Sequence, residues 1–480
     1  MSQRRRNRLS PAAVALVTSL VGGAVHAQAP PRADQPWPIP SWASDRAGAA
    51  ETGPQQWTSK PYDLAALIDL AQRSNPETRA SWEAARAAAA AIGLVESAYL
   101  PQLSLQAIGG FEHTPLPAPK NLVPKGFFVS DAREFIPSLA VKWLLFDFGR
   151  RDANLKAAKA DSFVANVGFT AVHQKIVLEV SQNYFALGAA RGRLRAANKA
   201  LATAQTVEQS TQSKREHGLA TITALAQAQR QTAQARYGVA AAQGAERTAM
   251  ANLVAVLGIP AATPIEVVDS SDRPLPSSPQ ESIAAAVDAA MAHRPDIIAA
   301  LSQIDSAAAK LKAAERSRYP TIELSAHAFE NFGALHSDGG PESTVNRPGR
   351  NLLFSFSVPL FDGGERSSQI SIARAKMRES EAKLAQTRDT VAQQVVRAYD
   401  ELLTGLAEYD AAETLRRAAN TSYDAALRAY QQGVGTYIEV ATEESAVADA
   451  ERQEEDARAA AHASAAGLVF AMGFTGDQSP

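Results

Sequence analysis

Lys142-Trp-Leu-Leu-Phe-Asp-Phe-Gly-Arg-Arg151 is the stretch in which the periodicity of the chain changes. Before it, apolar residues recur at every second position, as in a strand with one apolar face, through Phe135, Leu139, Val141, Trp143 and Leu145. After it, an alanine-rich pattern with scattered charges continues without a proline to His217, which is typical of one long helix. The sequence therefore predicts a strand that passes directly into a helix at Asp147-Phe-Gly149.

The same joint occurs a second time, as Leu360-Phe-Asp-Gly-Gly-Glu-Arg366. Other landmarks repeat at the same offset of 215 residues, namely Tyr184 and Tyr399, Gly218 and Gly433, Thr221 and Thr436, and Gly258 and Gly473. Two earlier pairs, Pro76 with Pro295 and Pro101 with Pro320, are 219 residues apart, so one shift of four residues aligns the halves. Landmarks that keep this register indicate an internal duplication, and two copies are too few for a self-standing solenoid.

The duplication predicts the organisation of the whole chain. The regions are a signal peptide (1–27), an irregular Pro- and Trp-containing arm (28–60), a first repeat (61–258), a linker (259–280), a second repeat (281–474) and a C-terminal tail (475–480). Each repeat is expected to hold two short helices, two strands and a hairpin of long helices. The strands are expected at about 102–111, 135–146, 321–329 and 351–361, and the hairpins at 149–257 and 364–472. The predicted fold class is an α+β membrane protein.

The N-terminus has the features of an export signal. A basic segment with Arg4, Arg5, Arg6 and Arg8 precedes the apolar stretch Pro11–Val25, and Val25-His26-Ala27 is a small-residue cleavage site. The alternative is a membrane anchor, but about 15 apolar residues are too few to span a bilayer comfortably. Removal of the four arginines changes the formal charge from −2 to −6, which does not suit a nucleic-acid partner. The chain has no cysteine, so we expect neither disulfides nor a cysteine-linked lipid anchor.

The predicted strands have the alternating pattern of a membrane barrel. In the last strand one face carries Leu352, Phe354, Phe356, Val358 and Leu360, and the other carries Ser355 and Ser357. Lys142 lies opposite Val141 and Trp143, which suits either a lumen-facing cation or an ordinary surface lysine. Four strands cannot close a barrel, and open strand edges are not tolerated in lipid. Closure must therefore come from other copies of the chain, and three copies would supply twelve strands.

These features together resemble the TolC family of outer-membrane efflux and secretion channels, over about Tyr62 to Phe474. The matching motifs are Asn75-Pro76 and Arg294-Pro295, Tyr99-Leu-Pro-Gln-Leu103 and Tyr319-Pro-Thr-Ile322, Leu145-Phe-Asp-Phe-Gly149 and Leu360-Phe-Asp-Gly-Gly364, and His217-Gly-Leu-Ala-Thr221 and Gly433-Val-Gly-Thr436. The resemblance implies a homotrimer with a 12-stranded β-barrel in outer-membrane lipid and long helical hairpins that form a periplasmic tunnel. It also implies two partners, a periplasmic adaptor (membrane fusion) protein and an inner-membrane pump of the RND or ABC type.

The resemblance assigns roles to two groups of residues. The hairpin tips are expected to contact the adaptor through Gly218, Leu219, Ala220 and Thr221, and through Gly433, Val434, Gly435 and Thr436. The barrel-to-tunnel joints are expected at Asp147 and Gly149, and at Asp362, Gly363 and Gly364. We interpret each aspartate as a helix N-cap and the glycines as residues that allow a tight turn.

Glu439 has two interpretations. Thr436-Tyr-Ile-Glu439 fits a capping box, in which the glutamate bonds back to the cap residue. The resemblance instead implies an acidic ring that narrows the tunnel and favours cations, for which Glu439 and Glu443 are the candidates. Thr442 and Ala224 stand where the family often has acids, so the composition of such a gate stays open.

Other classes of site find little support in the sequence. Phe146-Asp147-Phe148-Gly149 contains the DFG triplet of protein kinases, but the other kinase motifs are missing. Gly433-Val-Gly435 lacks the preceding strand and the third glycine of a phosphate-binding loop, and fits a hairpin turn instead. The eight histidines are scattered, without an HExxH pattern, and neither GxSxG nor a P-loop lysine occurs. We therefore expect no enzyme, no catalytic residues, no metal and no cofactor.

The predicted function is a passive exit duct for small toxic compounds or drugs, driven by the pump through the adaptor. A channel for type I protein secretion is the alternative within the family, because cargo is chosen largely by the partners. A periplasmic coiled-coil protein without a pore is the alternative from another class. That alternative explains the long helices but leaves the four amphipathic strands unexplained.

Overall fold

The computed structural model describes residues 61–474 except 262, 272, 280 and 338–340, so the predicted signal peptide (1–27), arm (28–60) and tail (475–480) lie outside the described residues. In chain order the helices and strands are α1 (Leu64–Ser74), α2 (Pro76–Glu96), β1 (Gln102–Pro117), β2 (Phe127–Phe146), α3 (Arg150–Glu216), α4 (Ile222–Leu257), α5 (Ile283–His293), α6 (Pro295–Arg316), β3 (Thr321–Ser337), β4 (Ser343–Ser357), α7 (Glu365–Gln431) and α8 (Tyr437–Ala471). The same order of six elements occurs twice, which confirms the duplicated α+β unit.

Local signals separate the first two helices. The Asp63 carboxylate accepts a hydrogen bond of 2.8 Å from the Ala66 N–H and caps α1. Asn75 ends α1 and caps α2 by accepting a bond of 2.7 Å from the Glu77 N–H. Pro76 follows in the first turn of α2, where its missing N–H has no intrahelical partner to lose. The side-chain amide of Asn75 also donates to the Val256 carbonyl at 2.8 Å, which fixes the break against the end of α4.

The four strands form one antiparallel sheet in the order β1-β2-β3-β4, so that β1 and β4 are its edges. On one face apolar side chains pair across strands, as in Leu105 with Leu139 and Leu324 with Phe354. Leu105 is 80% exposed in the single chain, because nothing in the described part of the chain covers this face. A long sheet edge and a large exposed apolar face are both surfaces that proteins normally cover.

The opposite face of the sheet is polar, as the alternation predicts. Lys142 pairs with Gln102 on β1 and with Ser325 on β3, so it lies among polar neighbours. The predicted face for Lys142 is therefore correct. Its role as a lumen cation stays a prediction.

The predicted start of β1 at 102, end of β2 at 146 and start of β3 at 321 are correct, but the other five strand bounds are wrong. β1, β2 and β3 extend beyond 102–111, 135–146 and 321–329, because backbone pairing continues through glycines and charged residues that interrupt the apolar alternation. β4 begins before the predicted 351 and ends at Ser357 instead of at 361. Pro359 accounts for the early end, since it has no N–H for a ladder and restricts the preceding residue.

The long helices of the two halves match closely. α3 and α7 each contain 67 residues, which corresponds to a length of about 100 Å. Their returning partners, α4 and α8, contain 36 and 35 residues. α3 and α7 begin at Arg150 and Glu365, one residue after the predicted 149 and 364, because Gly149 and Gly364 have the left-handed conformation. None of the helices in the described ranges is both long enough and apolar enough to cross a membrane.

The two hairpins pack through α3 and α8. Ion pairs follow this contact, from Arg193 to Asp456, from Arg195 to Glu455 and from Lys199 to Glu451. The first hairpin is thereby fixed beside the second within one chain.

Candidate functional site

The first joint, residues Phe146–Arg151, leads from β2 into α3. Gly149 has a φ of +92°, which disfavours any residue with a Cβ atom, and it is the N-cap of α3. The Asp147 carboxylate accepts hydrogen bonds from the backbone N–H groups of Gly149 at 3.2 Å and of Arg151 at 2.8 Å. Asp147 thus satisfies N–H groups at the helix start. Its predicted position was wrong, because the N-cap is Gly149, two residues later.

The second joint, residues Phe361–Arg366, repeats this geometry. Gly364 has a φ of +92° and is the N-cap of α7. The Asp362 carboxylate accepts from the N–H groups of Gly364 and of Arg366, both at 3.1 Å. The prediction that Asp362 is the N-cap is therefore wrong in the same way, while its role at the helix start is the expected one.

The joints differ at the residue between the aspartate and the N-cap. Phe148 has a φ of +55° and is the one non-glycine residue with positive φ within the described ranges. Its counterpart Gly363 has a φ of +65°, which costs glycine nothing. The ring of Phe148 stacks on Tyr319 of the second repeat, with centroids 6.1 Å apart. The first joint thus combines backbone strain with a contact between the repeats.

Arg151 and Arg366, which were not among the predicted site residues, complete the joints. The Arg151 guanidinium donates to the carbonyls of Ala98 at 2.9 Å, Leu144 at 2.6 Å and Leu145 at 2.9 Å. It therefore connects the turn that follows α2, the end of β2 and the start of α3. The repeated Asp-x-x-x-Arg spacing was the signal that could have identified both arginines.

Arg366 has fewer partners. It donates to the Ser317 carbonyl at 3.1 Å and to the Asp362 carboxylate at 2.7 Å. Ser317 is the equivalent of Ala98 at the offset of 219 residues. Both arginines therefore tie a short helix to the start of a long one.

The two hairpin tips have the same backbone turn. We define the first tip as His217–Thr221 and the second tip as Gln432–Thr436. Gly218 and Gly433 have φ values of +73° and +79°. The next residue in each tip donates its N–H to a carbonyl of the last helical turn, at 2.7 Å from Leu219 to Lys214 and at 3.0 Å from Val434 to Ala429. These bonds satisfy carbonyls that the helix end leaves free.

The tips present apolar side chains to solvent. Leu219 is 78% exposed and Val434 is 80% exposed. Ile222 and Ile438, at the start of the returning helices, are exposed as well. Thr221 and Thr436 are the N-caps of those helices. Contact of the tips with an adaptor stays a prediction.

The capping interpretation of Glu439 is present in the structure. The Thr436 N–H donates to the Glu439 carboxylate at 3.0 Å, and the Glu439 N–H donates to the Thr436 hydroxyl at 3.3 Å. The Glu439 side chain is exposed and Glu443 is half-buried. Both carboxylates thus reach the surface of the second hairpin close to its tip, and their role in a gate stays a prediction.

A polar clamp and an apolar cluster join the tips of the two hairpins. Lys214 donates to the Tyr430 carbonyl at 3.1 Å and lies 3.7 Å from the centre of its ring. The Tyr430 hydroxyl is 3.2 Å from the Thr211 hydroxyl. Beside this clamp is a buried cluster that we call the tip seam, formed by Val207 of α3, Ala228 of α4, and Tyr437 and Val440 of α8. These contacts depend on how the hairpins pack, so no sequence pattern predicted them.

The described residues contain no group of three or more His, Asp or Glu side chains arranged to hold a metal ion. The geometry consists of an amphipathic sheet, two joints and two long hairpins with apolar tips. This geometry provides surfaces for contact with other proteins or lipid, and it provides long helices that could line a channel.

Comparison with known proteins identifies relatives of this chain. The family model described as outer membrane efflux protein matches residues 67–259 and 286–474, which are the two repeats. Protein CyaE of Bordetella pertussis is 30% identical over 368 residues, or 76% of this chain and 72% of CyaE. Outer membrane protein OprJ of Pseudomonas aeruginosa is 26% identical over 413 residues, or 83% of this chain and 82% of OprJ.

Solved structures share the fold. The outer membrane channel CmeC of Campylobacter jejuni superposes with a TM-score of 0.71 at 19% identity, over 85% of each chain. The resemblance to the TolC family is confirmed by these matches, which cover most of both repeats. The chain belongs to the outer membrane efflux protein family.

Proposed function

We propose that three copies of this chain form the exit duct of a tripartite efflux system in the outer membrane. The observation that carries the proposal is the four-stranded sheet, whose apolar face and whose edges, β1 and β4, are covered by nothing within the described residues. Three such sheets would pair every edge with a neighbour, close a barrel of twelve strands and turn the apolar face to lipid. The hairpins, about 100 Å long, would continue the barrel as a periplasmic tunnel.

The tips are the proposed docking site for a periplasmic adaptor protein. Leu219 and Val434 extend from the turns into solvent, where apolar side chains at a helix end favour contact with a partner. The adaptor would connect the tunnel to an inner-membrane pump of the RND or ABC type. The pump supplies the energy, and this chain supplies a passive path.

Small toxic compounds are the proposed cargo. The test is deletion of the gene in its host, with complementation by the full chain, followed by growth in antibiotics, dyes and detergents. We expect the deletion strain to be more sensitive and complementation to restore growth. Unaltered sensitivity together with the loss of one secreted protein would contradict this cargo and favour type I secretion.

The location and oligomeric state of the chain distinguish an outer-membrane duct from a periplasmic coiled-coil protein without a pore. Fractionation of host membranes and sizing of the detergent extract should give a trimer in the outer-membrane fraction. A monomer in the soluble periplasmic fraction would contradict the proposal.

Glu439 and Glu443 are the proposed acidic ring of the periplasmic gate. Glu439→Gln combined with Glu443→Gln should raise conductance or reduce block by multivalent cations in planar bilayers, because the ring loses its charge. Glutamine can also complete a capping box, so this change preserves the start of α8.

Thr436→Ala is the matched control for the gate variant. It removes the cap contact to the Glu439 N–H and leaves both carboxylates in place. We expect cation block to be unchanged in Thr436→Ala and weaker in the double glutamine variant. Wild-type currents in the double variant would remove Glu439 and Glu443 from the gate.

A further inference from the structure

Glu444 is a buried acid beside the tip seam. It is 5% exposed and lies on the same face of α8 as Val440, which is fully buried at 0%, and Val447. Its Oε2 atom is buried and has no hydrogen-bond partner. A carboxylate in this position would be unpaired in an apolar contact, which strongly disfavours the charged form.

The groups that face this region come from all four long helices. α7 contributes Tyr423 and the neighbouring Asp424, and α8 itself contributes Tyr437. α3 contributes Glu208 and α4 contributes Arg230, both of which act on Tyr437. No ion pair to Glu444 occurs among the described residues.

The protonation of these groups differs near neutral pH. Burial raises the pKa of Glu444 to about 7. Burial also raises the pKa of Tyr437, to about 12, so this phenol stays neutral. The side chain of Glu444 therefore changes its charge near pH 7.

The second hairpin has this buried acid, and the equivalent position of the first hairpin does not. The equivalent of Glu444 at the offset of 215 residues is Gln229, which is exposed on α4. Moreover, the burial of Glu444 arises within a single chain, since no other copy is needed to cover it. The acid therefore lies beside the tip seam within one protomer, one turn along α8 from Val440 and close to Tyr423 of α7.

We propose that Glu444 is a proton-binding residue that controls the packing of the two hairpins at the tip seam. With the proton bound, the side chain stays in the seam and the hairpins remain in contact. Without the proton, the carboxylate moves to water and the hairpins separate near their tips. The consequence for transport rests on the proposed function, because separation at the tips would widen a periplasmic tunnel.

The direction of the pH dependence follows from the raised pKa. Between pH 4.5, the ordinary value for glutamate, and about pH 7, the packed seam holds the proton and the separated seam does not. Packing is therefore favoured at low pH and weakens as the pH rises through this range. The population of separated tips should rise by up to about tenfold per pH unit and level off above pH 7.

Thiol labelling measures this separation directly, because the wild-type chain contains no cysteine. Val440→Cys places a thiol in the seam, where a water-soluble maleimide reacts when the seam opens. Leu219→Cys, at an exposed tip position, corrects for the effect of pH on the thiol itself. The assay uses the full chain as the purified oligomer, and the ratio of the two labelling rates is measured from pH 5 to pH 8.

The expected ratio rises at least tenfold from pH 5 to pH 7 in the Val440→Cys chain. It should stay low and independent of pH when Glu444→Gln or Glu444→Leu is added, and the leucine variant tests the effect without a buried amide. Asp449→Asn, a change at an exposed acid of the same helix, should leave the pH dependence intact. A flat ratio in the Val440→Cys chain, or an unchanged pH dependence in both Glu444 variants, would overturn the proposal.

Conductance of the same samples in planar bilayers shows whether a negative result concerns the role of Glu444 or the channel itself. Ion conductance with a flat labelling ratio would retain the channel and reject the role of Glu444. A pH-dependent ratio without conductance would support the role of Glu444 in packing and reject the channel.

Discussion

The first and second joints follow one backbone path and hold it with different side chains. Phe148 occupies a left-handed position that is Gly363 in the second joint. Both arginines pair with the aspartate of their joint, but Arg151 also binds three carbonyls while Arg366 binds one. The difference teaches that the turn from sheet to helix is the fixed requirement. The side chains that stabilise it can change once the chain is duplicated.

The two hairpins carry opposite net charges on α3 and α8, the helices through which they pack. α3 has eleven basic and five acidic residues, a net charge of +6, and α8 has two basic and eight acidic residues, a net charge of −6. Exposed ion pairs each contribute about 0.2–1 kcal/mol, so the pairs between these helices add modest stability. Their opposite signs favour contact between unlike hairpins over contact between like ones.

The arginines give the largest expected difference between the joints. Arg151→Ala should lower the free energy of unfolding by about 3–5 kcal/mol, because it removes the ion pair in which the Arg151 Nε lies 3.3 Å from the buried Asp147 carboxylate, and leaves three carbonyls without a donor. Arg366→Ala should cost about 1 kcal/mol, since Asp362 is partly exposed. Thermal unfolding in detergent, followed by circular dichroism, measures both. Equal losses would show that the two joints are held alike.

The next largest effect is the pH dependence of stability that we expect from His462. This residue has no counterpart in the first repeat, where Arg247 is exposed at the equivalent position. Burial, aided by Arg273 and Arg458, lowers the pKa of His462 to about 4. The unfolded chain therefore binds a proton more readily, and stability should fall as the pH decreases from about 6.5 towards 4, by up to about 3 kcal/mol.

His462→Phe removes the titrating group and keeps an aromatic ring against Phe185, on which His462 stacks at 4.7 Å. Its unfolding temperature should depend less on pH over this range than that of the wild type. Arg247→Ala serves as the control at the equivalent exposed position and should retain the wild-type slope. The same slope in His462→Phe would assign the acid sensitivity to another group.

Gly363 gives the smallest effect. Gly363→Ala should cost about 1–2 kcal/mol, because the left-handed conformation is unfavourable for a residue with a Cβ atom although the space around it is open. Phe148→Gly should be close to neutral, since relief of strain is offset by the lost stacking on Tyr319 and by a more flexible unfolded chain. Unfolding temperatures of the two variants test this contrast. A neutral Gly363→Ala would show that the second joint tolerates the strain found in the first.

The parts of this molecule that could be predicted are those that local sequence determines. Glycine, proline and capping residues recur at fixed offsets, so the duplication, the joints and the hairpin turns are visible at Gly149, Gly218 and their counterparts. Most of the wrong strand bounds arose because pairing of backbone groups continues where apolar alternation has stopped. Pro359 could have indicated the early end of β4.

Contacts between distant elements could not be predicted from the sequence. The burial of Glu444 depends on the packing of α8 against three other helices, while its neighbour Glu443 differs from it only by its position on the helix surface. The Lys214–Tyr430 clamp likewise joins residues 216 positions apart. A single sequence contains no signal for such pairs.

The central claim is that this chain alone, as an oligomer, forms an open path through a membrane. Single-channel recording of the purified full chain in planar bilayers tests it most directly. We predict discrete conductance steps whose block by multivalent cations weakens in the Glu439→Gln, Glu443→Gln variant. Bilayers that contain the inserted oligomer but carry no steps above the leak current would contradict the claim.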